Sequence, residues 1–183
     1  MQTFYYLQKV NYLDQYILEF AGLDDGTHHF EYSIGVELFR EFDFNEINDC
    51  NMLVQVEMNK QPDMLEFKFA FSGFVICECD RCLEEYKQPV SGNERLVVKF
   101  GDKSEETDDN IITVPAQEHQ INLSQFIYES IVLMLPKRKV HPEDKKGKSD
   151  CNPEIIKKLK ELNYQKKSID PRWDELKKIT LKN

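Results

Sequence analysis

The chain has 183 residues and a formal net charge of -9, with an ordinary apolar content, which suits one domain with an appended tail and excludes disorder throughout. No apolar run approaches the length of a membrane span, and the opening MQTFYYLQKV lacks the basic-then-apolar order of a signal peptide, so a cytoplasmic protein is expected. Three of the five cysteines fall within six positions, unlike the spread set of a secreted disulfide scaffold, and reduced thiols follow.

In chain order, residues 13–20 read as a first strand, and Phe30, Tyr32, Ile34 and Val36 alternate with more polar neighbours as a second. Leu38, Phe39 and Phe42 would share one face of a short helix over 36–42. Alternation returns at Met52, Val54, Val56 and Met58, and again at Leu65, Phe67, Phe69 and Phe71. Asn59-Lys60-Gln61-Pro62-Asp63 between them favours a turn, so residues 52–71 are expected to form an antiparallel hairpin. The run GFVICECDRCL at 73–83 crowds three cysteines at the end of a strand. Residues 95–100 make another strand closed by Gly101, and GDKSEETDDN at 101–110 reads as a mobile acidic loop.

The period then changes. Leu123, Phe126, Ile127, Ile131, Met134 and Leu135 follow helical spacing, with Asn122 and Gln125 as a capping pair and Pro136 as the stop. One apolar side implies packing on the sheet. The expected fold is α+β: an antiparallel β-sheet packed by one strong helix, with a short helical C-terminal tail. In that tail, Asn152 before Pro153 and Asp170 before Pro171 each mark a helix start, and Trp173 is read as an anchor that docks the tail on the body.

Charge divides the chain at the same place. Residues 1–136 hold 9 Lys+Arg against 25 Asp+Glu, a net of -16, and residues 137–183 hold 15 against 8, a net of +7. The expected organisation is an acidic body over 1–136 and a basic tail over 137–183. Phosphate contacts are expected from Lys137, Arg138 and Lys139, from Lys145, Lys146 and Lys148, and from Arg81 at the cysteine turn. A structural reading of the first three also exists, because cations beyond the carboxyl end of a helix complement its dipole.

Cys79 and Cys82 form a C-x-x-C pair, whose turn can bring two sulfurs to about 2.3 Å from a tetrahedral zinc ion and leave two positions for further ligands. His141 and Cys151 are the candidates, although the gap between them exceeds the usual short spacing. Cys77 and Cys79 also fit a role as small buried apolar residues, and Cys50 is read as a packing residue. A redox pair is disfavoured: the βαβ context is absent, and Glu78, Asp80, Glu84 and Glu85 would raise a thiol pKa, with Arg81 offsetting them in part. No nucleophile elbow or Gly-rich phosphate loop occurs, so no catalysis is expected.

Cys79-x-Arg81-Cys82-Leu83 at a strand end, the strand 96–100, an acidic linker and a helix over 123–135 ending in Leu-Pro together resemble the YceD family of large ribosomal RNA subunit accumulation proteins, across residues 14–153. The resemblance implies a noncatalytic bacterial cytosolic protein, related to plastid proteins, that supports accumulation of large-subunit ribosomal RNA and hence ribosome assembly, with metal and nucleic-acid binding suggested. Ribosomal RNA or a preribosomal particle is then the partner; the alternative is an acidic module that docks a basic ribosomal protein or translation factor without touching RNA. Many members carry further cysteines around a Lys-Gly step after the Leu-Pro. Here Lys146-Gly147 is flanked only by His141 and Cys151, so zinc is expected to be loosely held.

Overall fold

The structure is a computed structural model that describes residues 11–101, 105–108, 110–143 and 149–163. A 3-10 turn, Tyr12–Tyr16, leads into β1 (Ile17–Glu19), so only the second half of the first expected strand is extended. Then follow β2 (Gly26–Ile34), α1 (Val36–Glu41), β3 (Asp49–Lys60), β4 (Met64–Glu78) and β5 (Glu85–Gly101). The chain continues through β6 (Glu105–Asp108), β7 (Ile111–Pro115), β8 (Gln120–Asn122), α2 (Ser124–Met134) and α3 (Pro153–Asn163).

The strands β2 to β5 form an antiparallel meander, β7 joins β5 in parallel, and β6 lies outside β7 in the antiparallel sense. The result is a six-stranded mixed sheet in the order β2-β3-β4-β5-β7-β6, with β1 and β8 paired as a separate ribbon. Period-two alternation sets one inner face. On β4 it buries Leu65, Phe67, Phe69, Phe71, Val75 and Cys77, whereas Lys68, Ser72 and Glu78 are exposed. Onto that face α2 lays Ile127 and Ile131, both fully buried, and Phe126, whose ring stands 4.8 Å from that of Phe69. Phe42, just after α1, stacks on Tyr128 at 4.4 Å. Each large apolar side chain buried there contributes roughly 1.5–3 kcal/mol.

Two glycines permit this packing. Gly73 has φ +148, and a Cβ on it would stand 2.3 Å from the Asn51 carbonyl oxygen across the β3–β4 pair. Gly92 on β5 leaves room for Met134 at the end of α2, whose sulfur would lie 2.8 Å from a Cβ there.

The α+β expectation is overturned. The protein is mostly β, with 47% of the described residues in strands and 23% in helices, and its main sheet is mixed rather than antiparallel. The helix over 124–134 is one of three short α-helices among the described residues. The unread strands account for the difference. The first half of β5 is too polar to alternate visibly, yet it pairs with β4 from Glu78↔Glu85 onward, and that partner decides its conformation. Likewise Glu105–Asp108, within the expected acidic loop, is strand β6.

Local signals fare unevenly. The N-cap of α2 is Leu123, which has no side-chain cap; Asn122, one residue earlier, accepts the Ser124 N–H at 2.9 Å, and Gln125 donates to Glu129 instead of forming a capping pair. The helix start at Asn152-Pro153 is α3, and that at Asp170-Pro171 lies, with Trp173, outside the described residues.

Candidate metal centre

β4 and β5 are joined by a turn that carries Asp80, Arg81, Cys82 and Leu83, with Cys79 at its entrance. The Cys79 N–H donates to the Glu84 carbonyl at 3.0 Å and the Leu83 N–H donates to the Cys79 carbonyl at 2.8 Å, so the turn folds back on itself and aims both sulfurs inward. Leu83 takes φ +60 to close it. That left-handed conformation costs a residue with a Cβ roughly 1–2 kcal/mol, and Leu83 is nonetheless 73% exposed.

The segment after α2 returns to this turn. Lys139 is bonded to it through the backbone in both directions: the Asp80 N–H donates to the Lys139 carbonyl, and the Lys139 N–H donates to the Asp80 carboxylate, each at 2.7 Å. Two residues later comes His141. Cys151 follows at the entrance to α3, held by its N–H to the Ser149 hydroxyl at 3.3 Å, while Asn152 donates to Glu84 at 2.7 Å. Val140, Ile155 and Ile156 pack around Tyr86, Cys77 and the three other cysteines as a small second core, apart from the main one.

Cys79, Cys82, His141 and Cys151 are all buried, and their ligand atoms lie within 4.8 Å of one another. Zinc at about 2.3 Å from sulfur and about 2.0–2.1 Å from nitrogen, with tetrahedral angles, sets sulfur–sulfur edges near about 3.8 Å and sulfur–nitrogen edges near about 3.6 Å. The Cys79 and Cys151 sulfurs are 3.8 Å apart, and the His141 Nδ1 is 3.5 Å from the Cys82 sulfur and 3.7 Å from that of Cys151. Three sulfurs and one imidazole form a donor set used by structural zinc sites, and these residues fit the ion. The unusual spacing of His141 and Cys151 does not keep them apart: chain return, rather than a short ligand spacing, supplies the second pair.

Electrostatics at the turn also run against the sequence expectation. Burial pushes the Cys79 thiol up, but N–H groups from Arg81, Cys82 and His141 and the His141 side chain outweigh it, and its pKa falls to about 6. Acidic neighbours do not dominate. Cys151 moves the other way, raised by burial and by the sulfurs facing it, with Ser149 opposing. Cys77 is raised by burial, and Cys50, buried in the main core, is pushed up to about 12, chiefly by burial.

The expected phosphate contacts are distributed differently. Lys137 and Arg138 are exposed beyond α2. Lys139 is only 16% exposed and pairs with Glu46, while Arg81 lies 3.6 Å from Glu143. Lys145, Lys146 and Lys148 lie outside the described residues. Sequence reasoning missed Asp80 and Glu46 as the groups that fix Lys139, and no local pattern marks either.

A family model described as Large ribosomal RNA subunit accumulation protein YceD matches residues 67–180, a span that contains both halves of the cysteine and histidine cluster. No curated protein and no solved structure matches the chain.

Proposed function

The chain belongs to the YceD family, and from that premise we propose that it is a noncatalytic factor that supports accumulation of large-subunit ribosomal RNA by binding that RNA or a preribosomal particle. The family description names a role in accumulation of this RNA and no reaction. No helix among the described residues is long and apolar enough to cross a membrane.

Cys79, Cys82, His141 and Cys151 would hold zinc in a closed four-ligand site, where the ion supplies a structural cross-link. The cluster brings His141 and Cys151, from the start of the segment in which positive charge is concentrated, to the β4–β5 turn of the acidic part of the chain, and this single observation carries the proposal. Lys137 and Arg138 are exposed and directly precede Lys139, whose backbone is bonded to that turn, which supports a held rather than a free basic segment. Exposed cations on a held backbone are suited to phosphate, since each contact releases counterions from the RNA without the further cost of ordering the chain that carries it.

Cosedimentation with large-subunit precursor particles tests the reading. Association should fall steeply as salt rises and should be lost after ribonuclease treatment. Retention after digestion would instead support the alternative, an acidic module docked on a basic ribosomal protein or translation factor.

A further inference from the structure

Leu83 follows Cys82 directly, takes φ +60 and is 73% exposed. The two properties oppose ordinary sequence choice. Glycine would adopt this backbone without steric conflict, and asparagine would suit both the backbone and the solvent, yet the position holds a leucine. Its N–H is tied to the Cys79 carbonyl, so the apolar side chain stands on a fixed turn rather than on a loose loop. A non-glycine residue persists in this region only where its surroundings over-determine it, and such residues cluster at active sites, ligand clamps and switch regions.

The charges around it define the partner. A recess beside Leu83 is lined by Glu46, Glu78, Asp80 and Lys139 together with Asn45 and Asn48. Lys139 is neutralised by Glu46, and the other cation of the turn, Arg81, faces Glu143. Glu84 and Glu85 follow immediately, and among the described residues each carboxylate accepts from an asparagine and pairs with no cation. Phosphate would meet like charge here, whereas a cationic protein surface would meet its complement.

We propose that Leu83 is the apolar anchor of a protein-docking surface at the hairpin tip, and that the partner is a basic protein surface offering an apolar socket bordered by lysine and arginine. Interfaces bury an apolar centre inside a polar rim, and an exposed apolar side chain ringed by charge fits that anatomy. The proposal rests on the reading that the chain joins preribosomal particles, and it assigns the tip to their protein rather than their RNA.

The test uses the full chain and its Leu83→Asn and Glu78→Lys variants against two separate probes, RNA-free large-subunit ribosomal proteins and protein-free large-subunit ribosomal RNA. The native chain should bind the protein probe, and Leu83→Asn should weaken that binding at least tenfold while leaving the thermal midpoint unchanged or higher. Glu78→Lys should weaken it several-fold. Binding to the RNA probe should be unaltered by either variant. The proposal is overturned if the native chain ignores the protein probe, if Leu83→Asn binds it normally, if that variant weakens RNA binding instead, or if it lowers the thermal midpoint, since Leu83 would then pack within the chain. Failure to cosediment with particles would remove the broader functional reading, and the protein-probe arm would still decide this one.

Discussion

Asp80 and Lys139 exchange two hydrogen bonds, N–H to carbonyl and N–H to carboxylate, each 2.7 Å long, across a separation of 59 positions. The pair behaves like a one-rung ladder between the β4–β5 turn and the segment that follows α2. Replacing Asp80 by Ala should cost about 1 kcal/mol, read as a lower thermal midpoint, and Asp80→Asn should recover part of it by keeping an acceptor. Equal midpoints for Asp80→Ala and the native chain would show that water substitutes fully for the carboxylate.

The metal content of the purified protein is the second measurable outcome. Elemental analysis should give one zinc per chain, and Cys151→Ser should remove most of it, because the three remaining ligands leave an open position. Chelation should lower the thermal midpoint of the native chain but not that of the variant. Well under one zinc per chain in native protein, with no effect of chelator, would contradict the site.

The low pKa of Cys79 makes a third prediction, made for metal-free protein. In the unfolded chain its thiol titrates near about 8.5, whereas in the fold it titrates at about 6. A depressed folded value means that its contribution to stability is complete above the unfolded pKa and is lost as pH falls through about 6. Thiolate absorbance should therefore show one group titrating near that pH, absent in Cys79→Ser. A first thiol titration near the ordinary value would remove the prediction.

Much of the architecture was legible where apolar residues alternate strongly. Leu65, Phe67, Phe69 and Phe71 declare their strand because each inward position is large and each outward neighbour is polar or small. Residues 85–94 of β5 carry no such signal: Lys87, Ser91 and Asn93 would suit a loop equally well, and only the fifteen-residue ladder with β4 makes them extended. The site divides similarly. Cys79 and Cys82 advertise themselves by spacing, whereas the place of His141 and Cys151 depends on a long-range return that spacing cannot encode.

Lysines of the basic segment should separate by role. Lys137→Glu with Arg138→Glu should weaken particle association several-fold and leave stability within about 0.5 kcal/mol, as is usual for exposed positions. Lys139→Ala should do the reverse, lowering stability by roughly 1 kcal/mol through loss of the Glu46 pair, with little effect on association. Normal cosedimentation of a folded Lys137→Glu, Arg138→Glu double variant would shift the weight to protein docking.

Gly73 offers a test of the sheet itself. Gly73→Ala places a Cβ against the Asn51 carbonyl and requires φ +148 of an alanine, so destabilisation of about 2 kcal/mol or more is expected in chemical unfolding. A neutral substitution would mean that β3 and β4 part there at no cost.

The division of the four ligands along the chain also imposes an order of events. Cys79 and Cys82 are synthesised before β5, β7 and α2, and His141 and Cys151 only after them. The site can close only when both halves are present, and a chain in which the segment after α2 fails to return would present two thiols without their partners. Were zinc bound there, it would cross-link the site only once the last ligand, Cys151, had been made, and metal shortage would leave four buried donors facing one another without that cross-link.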